Sequence, residues 1–336
     1  MSFPAPSHRI LFKPIPNSET GGCHMDVYLP EVSENAPIAW MIHGGGFTIG
    51  GSHHIPVDQV QWFLDHGVAV VSNEYRLLPH ASMDDIREDN LDAYKWILDS
   101  LNSTIGVRLD ISKIAILGWS AGGTALFYLT HDAHQAGLPG PTCLIPTYPK
   151  VDMKDPAEQP ISALKETCSK DEWEAVERLR TGPVCTGYKH GITWYLDDPS
   201  PRATWMKVVR TMQTVYNPLP KLIDFPQSMR SKTIHASWFC ADPPFPANVS
   251  PINLLSSTFP PTFVVIATAD WLIPPAESHA LVEKLKGLGV EVTHAEAQGM
   301  GHGVCEDPRS SWPEGQNWWV EAVQPSLEWA REKLLA

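Results

Sequence analysis

The sequence lacks a long apolar run, an excess of positive charge and any close group of cysteines. No stretch of its 336 residues approaches the roughly 18 consecutive apolar residues of a membrane span, and the amino terminus has no unbroken apolar segment of a secretion signal. Lys and Arg number 25 against 38 Asp and Glu, and the net charge of -13 repels nucleic-acid phosphates and anionic lipids. We therefore expect a cytoplasmic protein with no membrane span and no nucleic-acid partner.

Candidate metal sites are also missing from the sequence. The six cysteines show no CxxC pair and no zinc-type spacing, and they are Cys23, Cys143, Cys168, Cys185, Cys240 and Cys305. The histidine pair in HDAH, at 131–134, has no further ligand candidates nearby. We expect reduced thiols and no bound metal.

Short apolar runs are the most regular feature of the chain. They predict strands that are mostly buried on both faces, at 38–43, 68–74, 113–118, 143–148, 262–269 and 290–297. Between them, apolar side chains recur at helical spacing, as in 91–101 and 280–288. Strands alternating with helices predict an α/β fold, with a mostly parallel sheet covered on both sides.

The segment 151–259 interrupts this alternation. It is rich in proline, contains Trp173, Trp194, Trp205 and Trp238, and has amphipathic stretches near 170–180 and 203–216. A proline-rich surface loop is one interpretation. The aromatic content favours another, in which 151–259 is a lid inserted into a core formed by 1–150 and 260–336.

A serine between two glycines follows the apolar run that ends near residue 118. The segment Gly118-Trp119-Ser120-Ala121-Gly122 lies between a predicted strand and the helix-forming residues TALFYLTH. Glycine on both sides indicates close backbone approach or unusual dihedral angles around the serine. The strand, turn and helix order is typical of the G-x-S-x-G nucleophile elbow of serine hydrolases.

Three consecutive glycines follow another predicted strand, in the segment His43-Gly44-Gly45-Gly46. Such a loop exposes backbone N–H groups, as an oxyanion hole requires. A phosphate-binding loop is the alternative, but no GK pair and no GxGxxG spacing accompany the glycines. We expect His43 to hydrogen-bond the loop rather than to act as a base.

A catalytic serine needs a base and an acid that orients the base. His302 lies in the glycine-rich segment GMGHGV, just after the last predicted strand. Asp270 directly follows the strand TFVVIATA, at the edge where parallel sheets form their sites. Ser120, Asp270 and His302 occur in the order found in α/β-hydrolases.

Together these segments resemble the hormone-sensitive-lipase branch of the α/β-hydrolase superfamily, the HGGG serine esterases. The matching segments lie within 25–150 and 260–336, and they are HGGGF at 43–47, NEYRLLPH at 73–80, GWSAGG at 118–123, Asp270 and His302-Gly303. The resemblance implies the three-layer α/β-hydrolase sandwich. It also implies that Ser120 is the nucleophile, His302 the base and Asp270 the acid.

The same resemblance assigns the oxyanion hole and leaves the substrate open. It implies that Gly45, Gly46 and Ala121 supply the backbone N–H groups. Trp119 stands where the branch usually has aspartate, the segment HASMDD replaces a proline-rich continuation, and the separation of Ser120 from Asp270 is unusually long. The side chains that we predict to contact the substrate are Trp119, Phe47 and Trp205.

Three functions are compatible with these motifs. The first is hydrolysis of a carboxylic ester. The second is release of an acyl thioester, free or bound to a carrier, to water or to an internal hydroxyl with lactone formation, as in secondary metabolism. The third is a catalytically silent binding protein with the same fold, which would commonly have lost the Ser-Asp-His set that is present here. Acyl transfer through serine needs no cofactor, so we expect none. The oligomeric state is not predicted.

Overall fold

A computed structural model describes residues 4–153, 169–188, 202, 250–307 and 309–336. Its centre is one eight-stranded sheet with the strand order β1-β2-β4-β3-β5-β6-β7-β8. In chain order the strands are His8–Pro14, Gly22–Tyr28, Ile38–Ile42, Ala69–Asn73, Ile114–Trp119, Cys143–Thr147, Thr262–Ala267 and Val292–Ala297. The six strands predicted from apolar runs are therefore confirmed, with ends that differ by at most two residues.

The first two strands, β1 and β2, were not predicted. β1 pairs antiparallel with β2 and β2 pairs antiparallel with β4, whereas β3 to β8 pair in parallel with one another. Exposed and partly buried residues alternate along β1, and β2 includes the charged residue Asp26. Asp26 is nevertheless buried, because Arg9 donates to it at 2.8 Å and Ser52 also donates to it. A search for apolar runs misses such strands.

Helices cover both faces of the sheet. Those described, α1 to α8 in chain order, are Val57–Asp65, Met83–Asp99, Leu101–Ile105, Ala121–Gln135, Lys170–Thr181, Pro251–Leu254, Pro275–Gly287 and Gln324–Leu335. Apolar side chains of α2, α4 and α7 pack in one core cluster, and those of α1 and α8 pack in the other. This arrangement is the predicted three-layer α/β sandwich with a mostly parallel sheet.

The sheet topology brings distant segments to one edge. Strand β3 pairs in parallel with β5, β5 with β6, β6 with β7, and β7 with β8. Their carboxyl ends therefore lie at the same edge, where the loops after β3, β5, β7 and β8 meet. These loops contain the glycine-rich segment from His43, together with Ser120, Asp270 and His302.

The chain leaves the sheet after β6 and returns to it at the neighbouring strand β7. Of the segment between them, the structure describes the helix Lys170–Thr181, which agrees with the predicted helical stretch near 170–180. The stretch 203–216 lies outside the described residues, as do Trp194, Trp205, Trp238, Cys168 and Cys240. The four described cysteines, Cys23, Cys143, Cys185 and Cys305, are buried free thiols. None of the described helices has the length and apolar character needed to cross a membrane.

Candidate active site

Ser120 occupies a sharp corner between strand β5, which ends at Trp119, and helix α4, which begins at Ala121. Its backbone has φ 52°, a left-handed conformation that is uncommon for a residue with a side chain. Glycine is needed on both sides of the corner. A Cβ at Gly118 would collide with the backbone carbonyl of Gly122, and a Cβ at Gly122 would collide with the end of β3. Glycine at 118 and 122 therefore allows the neighbouring backbones to touch, and the corner forms only with that contact.

The tightest of these approaches predicts a stability effect. In Gly122→Ala the new Cβ would overlap the carbonyl of Ile42 and lie 2.7 Å from the carbonyl oxygen of His43. Because both atoms belong to backbone, relief requires the helix to move away from the strand. We expect the free energy of unfolding to fall by about 1–3 kcal/mol, measured by urea denaturation. Gly140→Ala is the matched control, since its Cβ meets nothing within 4 Å. Equal stability of the two variants would contradict this account of the corner.

Three side chains meet at the shared edge of the sheet. His302 Nε2 lies 2.9 Å from Ser120 Oγ, and His302 Nδ1 lies 2.7 Å from Asp270 Oδ2. The side chains of His302 and Asp270 are 6% and 1% exposed. With a proton on Nδ1 donated to the carboxylate, Nε2 is free to accept the serine proton, which is the arrangement that a base requires.

The carboxylate of Asp270 is held in a fixed orientation by the backbone. Its Oδ1 accepts hydrogen bonds of 2.8 Å from the N–H groups of both Leu272 and Ile273, in the turn that follows β7. Oδ2 is thereby directed at His302.

Glu277 and Asp242 are alternative partners for His302 that the sequence offers, although neither directly follows a predicted strand, and Glu277 is engaged elsewhere. Glu277 pairs with Lys150, whose Nζ lies 2.6 Å from its Oε1, and its Oε2 accepts the backbone N–H of Val151 at 3.0 Å. Asp242, the other candidate, lies outside the described residues.

The glycine loop after β3 adopts backbone conformations that favour glycine. Gly45 and Gly46 have φ of 97° and 60°, and the carbonyl of Gly45 accepts the N–H groups of Thr48 and Ile49 at 3.0 and 3.1 Å. These bonds fold the loop into a tight turn. Ala121 is the first residue of α4, where backbone N–H groups have no acceptor within the helix. The predicted oxyanion donors thus lie on two segments that flank Ser120.

His43 supports the glycine loop through a hydrogen bond, and its ring packs on a neighbouring tyrosine. Its Nδ1 lies 2.8 Å from the carbonyl oxygen of Gly44, and its ring stacks on Tyr75 with centroids 4.2 Å apart. Burial lowers the pKa of His43 to about 3, so the ring is neutral at physiological pH. This is the supporting role expected from the sequence.

The predicted substrate contacts receive no support from the described structure. Trp119 is 1% exposed in the core cluster that α1 and α8 cover, and Phe47 is fully buried in the other, with its ring edge towards Tyr75. The two side chains pack on opposite faces of the sheet, so their apolar surface stabilises the core. Trp205 lies outside the described residues.

Three residues of the site were missed by the sequence analysis: Tyr148, Cys305 and Glu306. The Tyr148 hydroxyl lies 3.0 Å from Cys305 Sγ and donates to Glu306 Oε1 at 2.9 Å, while its ring centroid is 4.7 Å from that of His302. Burial raises the pKa of Glu306 to about 7. Tyr148 directly follows β6, so its position at the carboxyl edge of the sheet was a usable signal.

Comparison with known proteins agrees with this architecture. A family model described as the alpha/beta hydrolase fold matches residues 40–210. A hyperthermophilic esterase from the archaeon Pyrobaculum calidifontis superposes with a TM-score of 0.61 at 21% identity, covering 99% of this chain and 85% of the other. Carboxyl esterase 2 from the fungus Tuber melanosporum gives 0.56 at 19% identity, covering 100% and 89%. At these identities the two structures share the fold.

Curated relatives are much longer proteins. Methylphloroacetophenone synthase of Cladonia uncialis is 26% identical over 308 residues, which are 82% of this chain and 12% of that protein. Non-reducing polyketide synthase Preu6 of Preussia isomera is 26% identical over 324 residues, 91% of this chain and 14% of the relative. The chain thus spans about an eighth of the length of the relatives that it matches.

Proposed function

Because the chain belongs to the α/β-hydrolase fold family, we propose that it is a serine hydrolase that cleaves a carboxylic ester or thioester through an acyl-serine intermediate. The observation that carries the proposal is the continuous contact from Ser120 Oγ to His302 Nε2 at 2.9 Å, and from His302 Nδ1 to Asp270 Oδ2 at 2.7 Å. The expected substrate is a small molecule, either free or as an acyl chain on a carrier.

In the first half-reaction Ser120 attacks the carbonyl carbon. His302 Nε2 takes the hydroxyl proton as the C–O bond forms, and Asp270 stabilises the imidazolium. The backbone N–H groups of Gly45, Gly46 and Ala121 stabilise the negative oxygen of the tetrahedral intermediate. When that intermediate collapses, the alcohol or thiol leaves with the proton from His302, and the acyl group remains on Ser120.

In the second half-reaction a new nucleophile attacks the acyl-serine. His302 removes its proton and returns one to Ser120 Oγ as the ester bond breaks. Water yields the free acid, whereas a hydroxyl on the same acyl chain yields a lactone. The acceptor is decided by which hydroxyl the site presents. When the acyl chain folds back, its own hydroxyl can reach a much higher effective concentration than a hydroxyl free in solution.

The segment 151–259 is proposed to be the lid over this site, inserted between core segments 1–150 and 260–336. One of its residues supports this assignment. Arg202 is only 3% exposed, and its guanidinium donates to the carbonyls of Thr48 and Leu78, the latter at 3.0 Å. Thr48 lies in the turn that Gly45 closes, so the segment contacts the loop that carries the proposed oxyanion donors.

A silent binding protein is the alternative from another class, and the assembled contacts of Ser120, His302 and Asp270 favour an enzyme over it.

The cytoplasmic location expected from the sequence also belongs to the proposal. Buried free thiols at Cys23, Cys143, Cys185 and Cys305 support it, since oxidising compartments promote disulfides.

The second candidate function is release of a hydroxylated acyl thioester as a lactone. It is favoured by the relative from Preussia isomera, which is named as a non-reducing polyketide synthase. We expect the enzyme to convert a long-chain hydroxyacyl thioester partly to lactone beside the free acid, resolved by chromatography of the products. An acetyl ester is the parallel control, because it has no internal hydroxyl. Rapid cleavage of the acetyl ester without lactone from any hydroxyacyl thioester would identify a short-chain esterase.

A further inference from the structure

A second carboxyl group lies beside the nucleophile. Glu306 ends the short 3-10 turn Val304–Glu306, four residues after His302. A Cβ built on Gly44 would lie 3.1 Å from Glu306 Oε2, 3.5 Å from Ser120 Cβ and 2.9 Å from the carbonyl oxygen of Trp119. These short distances explain glycine at position 44 without a role in the oxyanion hole. A side chain there would press against the backbone of Trp119 and against Glu306 Oε2, beside Ser120.

Glu306 forms no hydrogen bond with His302 or Asp270. Both ring nitrogens of His302 are occupied, one by Asp270 and the other by Ser120. Tyr148 bonds only Oε1 of Glu306, and within the described ranges no basic side chain forms an ion pair with the carboxyl. A carboxyl desolvated without a cation is destabilising unless a partner compensates it. Oε2 has no hydrogen-bond donor among the described residues, and it lies beside Gly44 and Ser120.

The groups around Glu306 act on its pKa in opposite directions. Burial is the largest influence and raises its pKa to about 7, and the nearby charge of Asp307 acts in the same direction. His302 and the Tyr148 hydroxyl favour the ionised form. The thiol of Cys305 bonds the same Tyr148 hydroxyl. Glu306 thus changes charge within the physiological pH range.

We propose that Glu306 determines substrate specificity by forming a hydrogen bond, through its free oxygen Oε2, with a hydroxyl on the acyl group carried by Ser120. The inference rests on the proposed acyl-serine mechanism and names its substrate class. The acyl side is the relevant one because the acyl carbon stays attached to Ser120 through both half-reactions, next to the space that Oε2 faces. The leaving group departs after the first.

A hydroxyl suits this carboxyl better than an ammonium group does. Near neutral pH Glu306 exists both as a carboxylate, which only accepts hydrogen bonds, and as an acid, which also donates. A hydroxyl donates to the first form and accepts from the second, whereas an ammonium can only donate. The bond is stronger to the charged form. Preference for a hydroxylated substrate should therefore rise with pH as Glu306 ionises around pH 7.

The test compares 3-hydroxyoctanoyl and octanoyl thioesters of one small thiol, as the ratio of their kcat/KM values in each variant. This ratio is independent of the fraction of folded enzyme. We expect Glu306→Leu to lower the preference for the hydroxylated substrate by about ten- to a hundredfold. Glu306→Gln keeps a neutral hydrogen-bonding group, so it should restore part of the preference and remove its dependence on pH. Glu314→Gln, at an exposed glutamate, is the matched control and should leave the ratio unchanged.

Each alternative outcome has a distinct meaning. An equal loss on both substrates in Glu306→Leu would show that the carboxyl acts on every substrate, through His302 or the fold, and would overturn the specificity role. Turnover of both thioesters by the unaltered enzyme without preference would overturn that role while leaving the acyl-serine mechanism intact. If neither thioester is turned over and mass spectrometry finds no acyl adduct on Ser120, the proposed function itself fails.

Discussion

Replacing Ser120 with alanine is expected to reduce kcat on the order of a million-fold while the protein remains folded. Alanine has no oxygen to form the acyl intermediate, and the proton acceptor at His302, 2.9 Å away, then has nothing to activate. Members of a catalytic triad act as a unit, so loss of the nucleophile removes most of what the whole set provides. Residual rate comes from the oxyanion donors and substrate binding. Ester hydrolysis measured with purified enzyme checks this expectation.

The control for Ser120→Ala separates folding from chemistry. Ser120 Oγ contacts His302 but supports no backbone in the described structure, so the thermal unfolding temperature should change little. Ser103→Ala, at an exposed helix serine, should retain full activity. An acyl adduct mass on the unaltered chain that is absent from Ser120→Ala would locate the intermediate. Activity of Ser120→Ala within tenfold of the unaltered enzyme would rule out the serine mechanism.

The second large effect is expected from Asp270→Asn, with a decrease in turnover of roughly ten-thousand-fold. The N–H groups of Leu272 and Ile273 both donate to Oδ1, so the asparagine oxygen must stay there to accept them. The amide NH2 then replaces Oδ2 and faces His302 Nδ1. Because an NH2 only donates, Nδ1 must become the acceptor, and the ring proton moves to Nε2. In that tautomer His302 cannot accept the serine proton.

Glu277→Gln is the matched control for this prediction. It also removes the charge of a carboxylate near the carboxyl edge of the sheet, but one that pairs with Lys150 rather than with the histidine. We expect it to lower stability, since a buried ammonium loses its partner, and to leave kcat of the folded fraction within tenfold. The pH profile of kcat for Asp270→Asn should confirm that the variant is limited by His302. Near-normal turnover in Asp270→Asn together with a large loss in Glu277→Gln would reverse the assignment.

The main-chain features of this fold could be predicted from the sequence where they follow from steric requirements. Buried parallel strands need apolar runs, and β3 to β7 are fully buried, whereas the edge strand β8 is exposed or partly buried at all but its last residue. The corner at Ser120 needs glycine at 118 and 122 because neighbouring backbones touch there. The apolar runs and the contact of Gly118 with Gly122 involve single strands or residues close in the chain, although Gly122 also meets Ile42 of β3. They therefore appear as patterns, and the order of Ser120, Asp270 and His302 along the chain could be read without coordinates.

In contrast, the tertiary structure decided which side chains pair with each other and which are buried. The strand β2 carries Asp26, which reads as a surface residue until Arg9 and Ser52 are placed beside it. Trp119 and Phe47 have side chains suited equally to a pocket or a core, and only the packing of two sheet faces puts both in the core. Composition alone does not distinguish these outcomes, because a side chain's free energy depends on the neighbours that the fold supplies.

The clearest example is the carboxyl beside the nucleophile. Glu306 and Tyr148 are separated by 158 positions, and no pattern in the sequence pairs them. Their hydrogen bond forms because β6 ends at the same edge of the sheet as β5, next to the loop that carries His302. The sequence by itself determined the six parallel strands, the elbow and the order of the three proposed catalytic residues. The tertiary structure alone decided which carboxyl groups face Ser120 and His302, since that depends on distances between segments far apart in the chain.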